Sequence, residues 1–240
     1  MARLHFVSLG CPKNLVDAEH MLGITIDGGH SIVDDPNQAD AIVVNTCSFI
    51  GEAKEESIAT ILEMGQLKDK TGAKLVVSGC LAQRYVGELE HELPEVDAFL
   101  GTSDYGKIDD VLQGFGLHQP KKQKRGLPIV DGDAVVVRNQ VSDELTFVAG
   151  CELPRKNSMP RYTAYLKIAE GCDNTCAFCI IPKLRGKQRS RSIADLVREA
   201  TRLAKEGVVE LNLIAQDLTG YGHDLPGKPT LAQLLQALTS

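Results

Sequence analysis

Ala164-Tyr165-Leu166-Lys167-Ile168-Ala169-Glu170-Gly171-Cys172-Asp173-Asn174-Thr175-Cys176-Ala177-Phe178-Cys179 sets a short strand-like run directly against a C-x3-C-x2-C loop. Thiolates that close together on one turn can hold three corners of a cubane iron–sulfur cluster. Such a cluster has four irons and normally takes four thiolates, so three leave one iron open to another ligand. Zinc is the main competing metal, but structural zinc needs four closed ligands. No further cysteine or histidine stands at a usual zinc spacing, since His118 and His223 are both distant in sequence. A plain ferredoxin role is the other alternative. A loop at the end of a strand is where a βα barrel places its catalytic groups.

Working outward, three more cysteines repeat one local pattern. Leu4 to Leu9 runs into Gly10-Cys11-Pro12, Ala41 to Val44 into Asn45-Thr46-Cys47, and Leu75 to Val77 into Ser78-Gly79-Cys80. Each run is short, apolar and bounded by turn residues, as buried parallel strands are. Helical periodicity follows each: Leu15, Ala18 and Leu22; Ile58, Ile61 and Leu62; Val86, Leu89 and Leu93, with Pro94 as a stop. A strand over Val96 to Leu100 and a helix around Ile108 to Leu112 complete an open α/β sheet for residues 1 to about 115. Strand C-termini of a parallel sheet share one edge, where ligands bind. Cys11, Cys47 and Cys80, about one βα unit apart, are therefore expected to converge as a second cluster site. The bland alternative is three buried cysteines at strand ends. Asn14 is expected to cap its helix.

Residues 116–160 read as a linker with hairpin character, pairing Val135 to Val137 with Leu145 to Val148 around Asn139. Lys121, Lys122, Lys124 and Arg125 read as solvated surface. Cys151 has no partner at a ligand spacing and reads as a spare thiol. From residue 161 a second α/β unit begins. Ser192-Ile193-Ala194-Asp195 opens a helix whose apolar face is Leu196, Val197, Ala200, Leu203 and Ala204, ended by Gly207. Val208 to Ala215 is the next strand, followed by Gln216-Asp217, and Thr230 opens a last helix.

The chain has 240 residues, 43% hydrophobic and 24% charged, with a net charge of −6. Those values are ordinary for a globular protein and argue against a nucleic-acid partner for this segment. No apolar run approaches the roughly 20 residues a membrane span needs, and the N-terminus shows no signal-peptide pattern. Seven cysteines in such a chain point to a reducing cytoplasm with thiolates used on metal rather than in disulfides.

The tight loop with its strand, and the following Arg185-Gly186 and Ser190-Arg191, resemble the radical S-adenosylmethionine (SAM) superfamily. More narrowly, Ser8-Leu9-Gly10-Cys11-Pro12-Lys13-Asn14, Asn45-Thr46-Cys47, Gly79-Cys80-Leu81-Ala82-Gln83-Arg84 and Leu166 to Cys172 resemble its methylthiotransferases, in the branch that modifies a small-subunit ribosomal protein, the RimO type. The resemblance covers nearly the whole chain except the stretch around Cys151. It implies an open parallel-sheet N-terminal domain followed by the first part of a radical SAM (β/α) barrel. The family's barrel is longer and precedes a C-terminal β-barrel (TRAM) domain, so residues 161–240 are expected to form a partial barrel. Activity of such a chain alone is not implied.

The resemblance further implies two [4Fe-4S] clusters. The open iron on Cys172, Cys176 and Cys179 would chelate SAM, and reductive cleavage would give a 5′-deoxyadenosyl radical, chemistry that the cofactor carries. The open iron on Cys11, Cys47 and Cys80 would hold the sulfur to be inserted, which a second SAM methylates. The product is a methylthio group on the β-carbon of an aspartate in small-subunit ribosomal protein twelve, with an electron donor such as a flavodoxin or ferredoxin as partner. Phe178 is expected near the adenine, with plain packing as its alternative. Gln216 is expected on the SAM amino group. Arg185 and Arg191 would meet a carboxylate of SAM or of the target aspartate, with surface charge as the alternative. A tRNA methylthiotransferase and a non-catalytic iron–sulfur or zinc scaffold are the rival readings.

Overall fold

The computed structural model describes residues 1–117 and 138–239. Its first unit is a sheet of β1 (Arg3–Ser8), β2 (Ser31–Ile32), β3 (Ala41–Thr46), β4 (Lys74–Gly79), β5 (Ala98–Leu100) and β6 (Asn139–Gln140). The spatial order is β2-β1-β3-β4-β5-β6, and every pairing is parallel. The helices are α1 (Pro12–Asp27), α2 (Gly51–Thr71), α3 (Cys80–Glu92) and α4 (Ile108–Gly114). Side chains of a strand alternate between faces, and both faces here are covered. Ile42, Val44, Leu75 and Val77 pack with Ile61 and Leu89 on one side. Ala41, Val43, Val76 and Leu100 pack with Met21, Ile108 and Leu112 on the other. This two-sided burial is why β3 is buried at every position and its Ala41 to Val44 stretch reads as an unbroken apolar run.

The second unit comprises β7 (Thr163–Lys167), β8 (Ala169–Glu170), α5 (Ile181–Arg185), β9 (Arg189–Ser190), α6 (Ile193–Lys205), β10 (Glu210–Ile214) and α7 (Leu231–Thr239). β7 pairs in parallel with β10, while β8 pairs antiparallel with β9. Ser192 Oγ accepts from Asp195 N–H at 3.3 Å, the cap expected for α6. Leu166, Ile168, Leu196, Tyr221 and Leu234 form this unit's core. Among the described residues no helix is long and apolar enough to cross a membrane.

The connecting region departs from the expected hairpin. Leu145 to Val148 has no regular structure, and Asn139–Gln140 instead extends the main sheet as a parallel strand beside β5. Arg138 explains this. Its guanidinium donates to the carbonyls of Val96 (2.9 Å), Glu90 (2.9 Å) and Leu93 (2.7 Å), which pins the chain against the end of α3. Phe147 packs edge-on against Tyr105, with ring centroids 5.1 Å apart. His118, the basic run Lys121, Lys122, Lys124 and Arg125, and Val135 to Val137 lie outside the described residues.

The two units meet along α1. Arg155 donates to Glu19 of α1 at 2.6 and 2.9 Å and to Glu199 of α6 at 2.7 Å, with all three side chains buried. Glu19 also accepts from the backbone and hydroxyl of Ser158, each at 2.7 Å.

Candidate functional site

Cys11 precedes the first turn of α1, Cys47 follows β3, and Cys80 opens α3, so all three stand at the C-terminal rim of the parallel sheet. They line one cavity of about 540 Å³ together with Cys179, Arg185 and Gln216. Phe49, Ile50, Ala53, Ile181 and Leu184 give it apolar walls. The dispersed triplet and one member of the tight triplet thus share a space.

Local chemistry brings the dispersed cysteines close. Gly10 sits at φ +89°, and a Cβ there would fall 2.6 Å from Cys47 Cβ and 3.0 Å from its Sγ. Only glycine lets that loop cross over Cys47. Ser57, fully buried on α2, accepts from Cys47 N–H at 3.1 Å, with its Oγ 3.0 Å from the carbonyl of the same residue. Asn14 does not cap α1, contrary to expectation: its Nδ2 donates to the carbonyls of Leu9 (2.9 Å) and Thr46 (2.8 Å), tying two cysteine loops together. Interior carbonyls need a donor, and the Asn14 amide supplies one to each.

The tight loop is set by Gly171 at φ +79°, where a Cβ would lie 2.1 Å from the carbonyl of Lys187. Cys172 N–H donates to Gly186 O at 3.1 Å and Cys179 N–H to Cys176 O at 3.0 Å. Cys172 is buried, Cys179 half-buried and Cys176 exposed. Phe178 is 90% exposed, so the packing alternative has no counterpart in this structure.

Beneath the cavity lies a buried charged network that joins the units. Arg185 donates to Asp17 at 2.6 Å, to Asn14 Oδ1 at 2.8 Å, to Glu170 at 3.3 Å and to Cys80 Sγ at 3.5 Å. Lys167 donates to Asp17 and, at 2.7 Å, to Glu170. Burial opposes the charge on Glu170, but Lys167 and Arg185 outweigh it and hold the carboxyl well below its ordinary value. Burial likewise opposes the Lys167 charge, which Asp17 and Glu170 outweigh, so that its pKa is raised. Burial pushes the Cys80 thiol up, while Arg185 pulls against it. Gln216 Nε2 donates to Glu170 at 2.5 Å, and Gln216 Oε1 is buried with no protein partner.

The two arginines are therefore not surface charge. Arg191 is buried too, paired with Asp195 and Glu199 at 2.6 Å each and donating to the carbonyl of Lys167 at 3.0 Å. Asp17, Lys167, Glu170 and Arg155 went unnoticed as site residues in the sequence. A usable signal existed for one of them: a lysine inside an apolar strand is rarely buried unless paired. Cys151 stands apart, its N–H donating to Asp195 at 2.9 Å and its Sγ 3.4 Å from Glu152.

Among the described residues, no three His, Cys, Asp or Glu side chains gather tightly enough to hold one bare metal ion. Three thiols around a cavity walled by apolar side chains fit a larger thiophilic group, an iron–sulfur cluster, in donor type and in space.

The fold is similar to that of solved radical SAM enzymes. It matches the radical SAM methyltransferase TsrM from Kitasatospora setae with a TM-score of 0.60 at 14% identity, over 100% of this chain and 50% of that one. The cobalamin-dependent SAM radical enzyme OxsB matches with a TM-score of 0.54 at 13% identity, over 95% of this chain and 35% of that one. Residues 3–101 match an uncharacterized protein family, UPF0004. The ribosomal protein uS12 methylthiotransferase RimO of Myxococcus xanthus is 54% identical over 98% of this chain and 45% of its own length. That of Clostridioides difficile is 48% identical over 99% of this chain and 50% of its own length. The chain is similar over nearly its whole length to these uS12 methylthiotransferases, and it spans about half the length of the curated relatives it matches.

Proposed function

We propose that this chain serves a radical SAM methylthiotransferase that modifies the β-carbon of an aspartate in a small-subunit ribosomal protein. The observation that carries the reading is the shared cavity, where Cys11, Cys47 and Cys80 face Cys179 and Gln216. Cys172, Cys176 and Cys179 would hold one [4Fe-4S] cluster, and Cys11, Cys47 and Cys80 a second. When bound, the clusters and SAM supply hydrogen abstraction from an unactivated carbon together with the sulfur and methyl to be transferred.

The chain's own residues position and shield. Gln216 fixes its amide by donating to Glu170, which leaves Oε1 free to accept from the SAM ammonium. Phe178, exposed between two ligands, would lie against the adenine. Arg185 and Arg191 are held by buried carboxylates and so shape the site beneath SAM. Phe49, Ile50 and Ile181 give the space between the triplets an apolar wall. Electrons would come from a flavodoxin or ferredoxin.

Anaerobic reconstitution followed by iron and zinc analysis tests this reading. Two four-iron clusters give about eight irons per chain, and incubation of the full-length protein with SAM, sulfide, a reduced flavodoxin or ferredoxin and the ribosomal protein should then yield methylthiolated aspartate. About four irons, or zinc, would refute two clusters, and modified tRNA in place of protein would refute the substrate.

A further inference from the structure

Cys80 receives a hydrogen bond from a residue of the other unit. Arg185 ends α5, which follows directly on the tight cysteine loop, yet its Nη2 lies 3.5 Å from Cys80 Sγ at the rim of the first sheet. The guanidinium is 2% exposed and cannot swing freely, because Asp17 grips Nη1 at 2.6 Å and Asn14 Oδ1 grips Nη2 at 2.8 Å. Asn14 is itself fixed by the Leu9 and Thr46 carbonyls, which lie next to the loops of Cys11 and Cys47. The donor is thus built in from both sides, and it is directed at a thiol rather than at solvent.

We propose that Arg185 is the residue that sets the reduction potential of the Cys11/Cys47/Cys80 cluster, and that this potential depends on the second unit being seated on the first. The inference rests on the reading that these three thiolates hold a cluster. Hydrogen bonds to cluster sulfurs, net charge and burial set such potentials. One-electron reduction by an external donor adds one negative charge to the cluster and its thiolates, with no bond made or broken. A buried N–H···S donor carrying positive charge stabilises that added charge more than it stabilises the oxidised form, and so raises the potential. Asp17 and Glu170 balance Arg185 and Lys167 in number, so the effect comes from the direction of the fork and its closeness to Cys80 rather than from net charge.

The test uses the full-length protein with Cys172, Cys176 and Cys179 all replaced by alanine, so that one cluster reports. Its midpoint is read by redox titration followed by electron paramagnetic resonance. Arg185→Gln alone would leave the buried carboxylates of Asp17 and Glu170 with Lys167 as their one remaining cation in this network, so the main variant is the paired Asp17→Asn/Arg185→Gln, with Arg185→Lys as the conservative partner. The paired variant should load the same iron and lower the reduced-to-oxidised ratio at fixed potential about tenfold, which is about 59 mV for a one-electron couple. Arg185→Lys should lower the potential too, because it loses the fork that reaches Cys80 although it keeps the charge. A purely structural Arg185 would lower resistance to urea and leave the potential where it was, and that result overturns the assignment. If the paired variant takes up no iron, Arg185→Lys decides on the same reading. Absence of iron in the parent overturns the cluster reading and this inference together, whereas a loaded cluster with an unmoved potential overturns only the role of Arg185.

Discussion

Replacing Arg155 with methionine should loosen the seam between the units. The guanidinium makes two bonds to Glu19 at 2.6 and 2.9 Å, one to Glu199 at 2.7 Å and one to the carbonyl of Tyr165 at 2.8 Å. Its side chain is 1% exposed and both carboxylates are 0% exposed. Removing one partner of a buried pair costs about 3–5 kcal/mol, because the charge left behind has neither water nor a counterion. Here each carboxylate keeps other donors, Ser158 for Glu19 and Arg191 for Glu199, which places the loss near the lower end, about 3 kcal/mol. That is roughly a hundredfold in the folding equilibrium, at 1.4 kcal/mol per factor of ten. Urea titrations of wild type, Arg155→Met, Glu19→Gln and the double variant would measure it. The double variant should cost less than the two single changes combined, since it removes the orphaned charge along with its partner. A cost below about 1 kcal/mol, the level of an exposed pair, or strict additivity, would show that the clamp is weak.

Cys172→Ala should abolish SAM cleavage, whereas Cys80→Ala should leave 5′-deoxyadenosine formation largely intact and stop methylthiolation; loss of cleavage in Cys80→Ala with the tight-loop cluster still present would reject that division. Cys151→Ser should retain all the iron, measured by colorimetric assay, and a loss of about four irons would mean that one cluster is fully thiolate-ligated. Burial, then hydrogen bonding to Asp195 and Glu152, pushes the Cys151 thiol up to about 11, so at neutral pH it should alkylate more slowly than a free cysteine, which mass spectrometry would read. Burial, followed by the charges of Arg155 and Lys167, pushes the His20 imidazole down to about 3, against about 6.5 when unfolded. The unfolded chain therefore binds a proton that the folded chain refuses, and stability should fall as pH drops from about 6.5 towards 3, by at most about 1.4 kcal/mol per pH unit. His20→Gln should flatten that slope in acid unfolding curves, and an unchanged slope would reject the assignment.

The rim position of Cys11, Cys47 and Cys80 was legible because strand, turn and cysteine recur in order, and a parallel sheet sends all three ends the same way. The cavity they share with Cys179 was not legible in detail, because it depends on how α5 lies against α3 and α1. Arg185 and Arg191 were expected on a carboxylate of SAM or of the target aspartate, with surface charge as the alternative; their buried protein partners, Asp17 and Asn14 for one and Glu199 for the other, lie outside the local pattern. Asn14 sat where a cap was expected, but two interior carbonyls captured its side chain. Leu145 to Val148 had strand-like composition, yet Arg138 anchors the chain so that Asn139 and Gln140 take the vacant sheet edge.

One consequence of α1 concerns which insertions and deletions this chain can tolerate. Asn14, Asp17 and Glu19 follow one another along α1 directly after Cys11, and all must meet their buried partners at the same time. Each residue of an α-helix turns the chain by about 100° and advances it by about 1.5 Å. A one-residue insertion between Cys11 and Asp17 would rotate the carboxylate away from Arg185 and Lys167 while leaving the thiol in place. Even a near-whole-turn insertion, which restores the angle, would displace it by about 5 Å. The interval is thus locked in both phase and length, so divergence of the chain must pass through substitutions there and confine changes of length to the loops on either side of α1.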